Sequence, residues 1–102
     1  MKIYFERSGG ITGIKENVLL DTESLSPQES EEIQYLLNNV HFFDLPSKYQ
    51  SSKQGADIHQ YKITVEKPQA KHTVDITGFP LPSELIPLIE YLSSKIRKAY
   101  NN

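Results

Sequence analysis

Two alternating segments of the chain, residues 59–66 and 71–76, constrain the fold more than any other feature. They are joined by the turn Lys67-Pro68-Gln69-Ala70 and have the two-residue periodicity of half-buried strands. A single antiparallel register satisfies both faces of such a hairpin. Its pairs are Glu66–Lys71, Thr64–Thr73 and Lys62–Asp75 on the outer face, and Ile63–Val74 and Tyr61–Ile76 on the inner face.

The start of the chain predicts a second hairpin of the same kind. Pairing Phe5 with Val18 places Ile3 opposite Leu20 and Arg7 opposite Glu16, so one register satisfies core and charge together. The tip between these strands contains three glycines within five residues, together with one aliphatic side chain: Gly9, Gly10, Ile11, Thr12 and Gly13. The glycines allow positive φ angles and close approach of the backbone there, whereas Ile11 either folds onto the core or contacts a partner.

Two amphipathic helices are predicted. The first begins at Ser26-Pro27, with Glu29 placed to close a capping box, and ends near Asn38-Asn39. The second begins near the cap residue Ser83. Their core-facing stripes are Ile33, Leu36, Leu37 and Val40 in the first helix, and Leu85, Leu88, Ile89, Leu92 and Ile96 in the second.

The element order is therefore strand, strand, helix, strand, strand, helix. It predicts an α+β fold in which an antiparallel sheet of about four strands carries both helices on one face. Residues 46–57 are polar and lack periodicity, which predicts a long loop. Phe42 and Phe43 are predicted to close the core, with an exposed docking patch as the alternative. The 102 residues are expected to form one domain, residues 1–102.

Composition excludes several classes of function. A net charge of −2 argues against a nucleic-acid binder, and the lack of cysteine excludes disulfides and thiolate chemistry. No apolar run approaches the roughly 20 residues of a membrane span, and the first residues have no signal-peptide pattern, so a cytoplasmic protein is expected. The three histidines have no metal-ligand spacing, and no catalytic constellation can be assembled. We expect neither an enzyme nor a cofactor.

Two segments remain as candidate binding elements. The first runs from Ser8 to Thr12 and includes Ile11. The second ends at Gly55-Ala56-Asp57, just before the third predicted strand. Asp57 has no assigned helix to cap and no assigned cross-strand partner, although an aspartate that initiates a turn is an equally simple interpretation.

Several of these segments resemble the emfourin family. They are Phe-Glu-Arg-Ser-Gly-Gly-Ile-Thr-Gly-Ile from Phe5, Asp21-Thr22 before a capped helix, Phe42-Phe43-Asp44-Leu45-Pro46, and the run from Asp57 to Glu66. With the proline-started last helix, the similarity spans nearly the whole chain. The resemblance implies a small intracellular, cytoplasmic inhibitor of thermolysin-type, protealysin-like zinc metalloproteases. It implies no membrane or nucleic-acid partner, and we expect a monomer.

Under this resemblance, Asp57 is directed at the zinc of the target protease and Ile11 enters its specificity pocket. A catalytic zinc keeps one open position, normally held by water, that a carboxylate can take. Gly9 and Gly10 let the first loop approach the cleft closely, and Thr12 belongs to the same protease-binding loop. Ile58 and Phe79 contact the rim of the cleft. The alternative is a non-enzymatic interaction module of immunity or adaptor type whose partner is not a protease.

Overall fold

The computed structural model describes residues 1–9, 15–50, 59–78 and 81–100, the last four of these by their backbone alone. The described residues form a five-stranded sheet with the strand order β2-β1-β4-β5-β3. Two α-helices and two short 3₁₀ helices accompany it. The elements are β1 (Lys2–Gly9), β2 (Glu16–Asp21), α1 (Pro27–Asn39), a 3₁₀ helix (Phe42–Asp44), β3 (Lys48–Gln50), β4 (His59–Lys67), β5 (Ala70–Thr77), a 3₁₀ helix (Ser83–Leu85) and α2 (Ile86–Tyr100).

Both predicted hairpin registers are confirmed. In β1–β2, Phe5 pairs with Val18 and Arg7 with Glu16. In β4–β5, all five predicted pairs occur, including the outer pair Thr64–Thr73, whose hydroxyl oxygens lie 2.9 Å apart. The cross-strand pairs from which each register was predicted are therefore the pairs that form in the structure.

The sheet differs from the predicted four antiparallel strands in one respect. Lys48–Gln50 forms a fifth strand that pairs in parallel with β5, so the sheet is mixed. Tyr49 lies opposite Ile76 and packs partly buried against the core, while Lys48 lies opposite Asp75. Three residues are too short to display the alternation that identifies a strand, which is why this segment was predicted to be loop. The α+β class itself is confirmed.

Both helices lie on one face of the sheet. The inner-face residues of the strands share a single hydrophobic cluster with those of the helices, whereas outer-face residues such as Tyr4 and Thr64 remain partly exposed. Burial of this apolar surface provides the main driving force of the fold. The fully or nearly fully buried members are Ile3, Phe5, Leu20, Ile33, Leu37, Phe42, Ile63, Val65, Val74, Ile76, Leu85, Leu88, Ile89, Leu92 and Ile96.

The helix starts follow local chemistry. Ser26 caps α1 as predicted, since its hydroxyl accepts a hydrogen bond from the Glu29 amide at 3.2 Å. Ser83 does not cap α2 as predicted. It opens the preceding 3₁₀ helix, and α2 begins at Ile86. Pro87 is then the second helical residue, where a missing N–H costs little.

No helix in the described part of the chain is long and apolar enough to cross a membrane.

The segment after α1 closes one end of the core. Phe42 is only 2% exposed, which makes the alternative of an exposed Phe42-Phe43 docking patch wrong for its first residue. The His72 ring meets Phe42 edge-on at 5.6 Å, and its Nε2–H donates to the Leu45 carbonyl at 2.8 Å. His72 is thus a structural residue that ties β5 to this segment.

Candidate functional site

Four strands end together at one side of the sheet. Gly9, the last residue of β1, pairs with His59, the first residue of β4. The amide of Gly78, directly after β5, donates to the His59 carbonyl at 3.3 Å. Gln50, the last residue of β3, pairs with Thr77. We call the group formed by Gly9, Gln50, His59 and Gly78 the loop end of the sheet.

Backbone conformation at the loop end requires glycine at two positions. Gly9 has φ 114° and Gly78 has φ 97°. Residues with a Cβ rarely adopt such angles, and the cost at these values exceeds that of the ordinary left-handed region. The two positive-φ glycines therefore lie at strand ends on the two sides of His59.

A column of three aromatic rings leads from the core to the loop end. Phe5, which is fully buried, stacks on Tyr61 with ring centroids 6.1 Å apart and an interplanar angle of 17°. Tyr61 in turn stacks on the exposed His59 at 6.4 Å and 26°. These separations fall within the range for interacting aromatic pairs. Sequence analysis did not predict this stacking of His59. The available signal was that His59 and Tyr61 lie two residues apart and therefore on the same face of the strand.

Ion pairs close the neighbouring corner of the sheet. The Arg7 Nε donates to Glu16 Oε1 at 3.0 Å across β1 and β2, in the predicted register. Lys15 Nζ lies 3.8 Å from Glu6 Oε1. Such partly exposed pairs add little stability, about 0–1 kcal/mol each, but they help fix where the segment between β1 and β2 begins and ends.

The outer face beside the loop end is polar. A shallow groove of about 280 Å³ crosses it, and its lining includes an alternating row of charges contributed by Glu6, Lys62, Asp75 and Lys48. Ligand pockets for small molecules are mostly apolar and enclosed. This groove is therefore a poor candidate for a cofactor or substrate site.

Metal-binding side chains are not clustered in the described residues. These residues contain no group of three histidine, aspartate or glutamate side chains able to hold a metal ion. Near the loop end, burial raises the pKa of the Tyr49 hydroxyl, with Glu84 adding to the effect. Burial also raises the pKa of the Tyr4 hydroxyl, which donates to Glu6 at 3.2 Å. Both tyrosines therefore stay neutral hydrogen-bonding groups at physiological pH.

Most of the residues predicted from the sequence to bind a protease lie outside the described residues. Of that set only Gly9 is described, as the paired strand end reported above. The others are Gly10, Ile11, Thr12, Asp57, Ile58 and Phe79, in the ranges 10–14, 51–58 and 79–80. What the structure does bring together is the residues to which these ranges attach, namely Gly9, His59 and Gly78.

A comparison with protein families identifies the chain. Residues 5–93 match the family model described as Emfourin, a span that begins within β1 and ends within α2. The chain belongs to the emfourin family. Comparison with the curated proteins and with the solved structures returned no match. Membership of this family, which is a family of inhibitors, suggests a metalloprotease-inhibitor role.

Proposed function

We propose that this emfourin inhibits a thermolysin-type, protealysin-like zinc metalloprotease by inserting two neighbouring segments into its active-site cleft. The observation that carries the proposal is the pairing of Gly9 with His59. It makes the attachment points of the Ile11 and Asp57 segments adjacent, which a two-segment mode of binding requires.

Chain connectivity bounds how far apart the two side chains can be attached. Ile11 is two residues from Gly9, and Asp57 is two residues from His59. An extended chain spans at most about 3.6 Å per residue, and paired antiparallel Cα atoms lie about 5 Å apart. The Cα atoms of Ile11 and Asp57 are therefore within about 20 Å of each other. This upper bound is compatible with both residues entering one protease cleft.

Asp57 supplies the group directed at zinc. A catalytic zinc has three protein ligands and one position held by water, which the metal activates for attack on the peptide bond. A carboxylate that takes this position removes the nucleophile. The group placed at the zinc is the side-chain carboxylate of Asp57 and not a peptide carbonyl. The inhibitor therefore blocks hydrolysis without presenting one of its own peptide bonds for cleavage there.

Ile11 supplies the apolar anchor, and its neighbours shape the approach. Thermolysin-type enzymes prefer a bulky aliphatic residue in their main specificity pocket, as the family resemblance implies. Gly9 and Gly10 have no Cβ and allow the backbone before Ile11 to approach the cleft wall closely, while Thr12 follows Ile11 in the same binding segment. Ile58 and Phe79, which adjoin His59 and Gly78, form rim contacts.

The test is the inhibition constant of the purified chain against a thermolysin-type protease, compared with Asp57→Asn and Ile11→Ala. Asn keeps the shape of Asp57 but not its charge, and we expect a loss of 30-fold or more, about 2 kcal/mol, typical of a binding hot spot. Ile11→Ala removes about three buried methylene equivalents, so we expect a loss of roughly 50-fold.

Matched controls separate these effects from general damage. Asp44→Asn changes an exposed aspartate at the opposite end of the core, and Leu19→Ala truncates an aliphatic side chain that is 61% exposed on β2. Both should inhibit like the parent. If Asp57→Asn and Ile11→Ala also inhibit like the parent, the assignment of these two residues is wrong. If the parent fails to inhibit several such enzymes at micromolar excess, the interaction module with a non-protease partner replaces the proposal.

A further inference from the structure

We propose that His59 is a positioning residue of this inhibitor: its ring, stacked on Tyr61, fixes the point from which the binding segments leave the sheet. The proposal rests on the proposed function for its consequence in inhibition. Its structural part concerns only described residues, so the two can be tested separately.

His59 is the one described residue that touches all three attachment points. It is itself the first residue of β4, it pairs with Gly9, and its carbonyl accepts the hydrogen bond of the Gly78 amide. A shift of His59 therefore moves the start or end of three segments at once. No other residue at the loop end has this position in the described sheet.

A terminal strand residue needs an anchor to hold such a position. Strand ends fray because they have few buried contacts, and the His59 side chain is exposed. In the described part of the chain its ring stacks on that of Tyr61, two residues further along β4, at 6.4 Å and 26°. Tyr61 is fixed in turn by Phe5, which is wholly buried. The aromatic column thus transmits the rigidity of the core to the loop end.

Rigidity at His59 matters for binding because it lowers the conformational entropy that the binding segments lose when they associate with the protease. When only a fraction of molecules holds the competent arrangement, the apparent dissociation constant rises by the inverse of that fraction. Loss of the ring contact should lower that fraction. A phenyl ring at position 59, which can stack on Tyr61 but has no imidazole nitrogen, should preserve that fraction.

The first experiment needs no protease. Amide hydrogen exchange of Gly78 is measured by NMR in the free parent, His59→Ala and His59→Phe proteins. The stacking free energy of an aromatic pair corresponds to a factor of about two to ten in the equilibrium between the closed and the open strand end. We therefore expect exchange of the Gly78 amide to be faster than in the parent by that factor in His59→Ala, and to stay within about twofold of the parent in His59→Phe. Equal exchange in all three proteins would overturn the anchoring role.

The second experiment measures inhibition of a thermolysin-type protease by the same proteins, with Gln60→Ala as control. Gln60 neighbours His59 on β4 but has no ring, and its side chain belongs to the outer face. We expect His59→Ala to raise the inhibition constant about two- to tenfold, mainly through slower association, while His59→Phe and Gln60→Ala inhibit like the parent.

Each other outcome contradicts a different statement. If His59→Phe loses as much inhibition as His59→Ala, the imidazole itself contacts the protease and positioning is wrong. If His59→Ala inhibits like the parent, the ring contact has no consequence for binding and the proposal also fails. If the parent does not inhibit at all, the proposed function fails, whereas the Gly78 exchange rates still decide the anchoring role.

Discussion

The substitution Gly78→Ala tests whether the geometry of the loop end depends on backbone strain that only glycine avoids. Gly78 has φ 97°, is buried, and donates its amide to His59 at 3.3 Å. A Cβ at this position must either accept the strained angle or rotate the peptide away from that hydrogen bond. Either response should destabilise the folded state.

The magnitude follows from three contributions. Backbone strain for a residue with a Cβ at such an angle costs about 1–3 kcal/mol. An extra methyl at a buried position adds about 1–3 kcal/mol of overpacking. Against these, alanine lowers the entropy of the unfolded chain and returns about 0.4–1 kcal/mol. From the central values of these contributions we expect the free energy of unfolding to fall by about 3 kcal/mol.

Urea unfolding followed by far-ultraviolet circular dichroism measures this loss, since the chain contains no tryptophan. With an m-value of about 2 kcal/mol/M, the midpoint should fall by about 1.5 M. Gly9→Ala is the comparison: Gly9 has φ 114° but is only half buried, so strain acts there without overpacking and the loss should be about 1 kcal/mol. A loss below about 0.5 kcal/mol for Gly78→Ala, or a larger loss for Gly9→Ala, would refute the reasoning.

Two further predictions concern tertiary contacts away from the loop end. His72→Phe keeps the ring against Phe42 but removes the hydrogen bond to the Leu45 carbonyl, so unfolding free energy should fall by about 1–2 kcal/mol in urea titrations. The hydrogen bond from Lys95 lowers the pKa of Glu29, so the stabilisation from this pair is present above the carboxyl's ordinary pKa of 4.5 and is lost as pH falls below it. Urea midpoints at pH 6 and pH 3 should therefore differ less in Lys95→Met than in the parent, and an equal difference would contradict the assignment.

Local chemistry determined the parts of the fold that the sequence predicted well. In each hairpin, the alternation of apolar and polar residues set the faces, and a charged pair such as Arg7–Glu16 set the register. The turn 67–70 joins strands that are neighbours in sequence, so few alternative pairings compete. The α1 cap at Ser26 is equally local, because donor and acceptor are three residues apart.

The parts that were missed depend on contacts between distant residues. β3 exists because Tyr49 finds a place beside Ile76, and three residues alone cannot show that preference. For the same reason, sequence analysis of each hairpin by itself did not establish whether the Ile11 and Asp57 segments attach at the same end of the sheet.

That adjacency follows from the pairing of β1 with β4, which joins the two hairpins. The pairing places Lys2 opposite Glu66 and Glu6 opposite Lys62, so the two charged residues on the outer face of β1 meet opposite charges on β4. Opposite charges in direct cross-strand pairs are stabilising and like charges are destabilising. The sequence therefore contained a usable signal for how the hairpins join.

The same signal fixes the loop end. Sliding β4 by four residues in either direction would place Lys2 opposite Lys62 or Glu6 opposite Glu66, and a slide of two residues would leave these charges facing uncharged partners. A slide of one would turn the apolar face of β4 towards solvent. In the register that remains, Gly9 lies opposite His59. Charge pairing on the outer face of the sheet thus determines which residues meet at its end, and with them the attachment points of the proposed inhibitory segments.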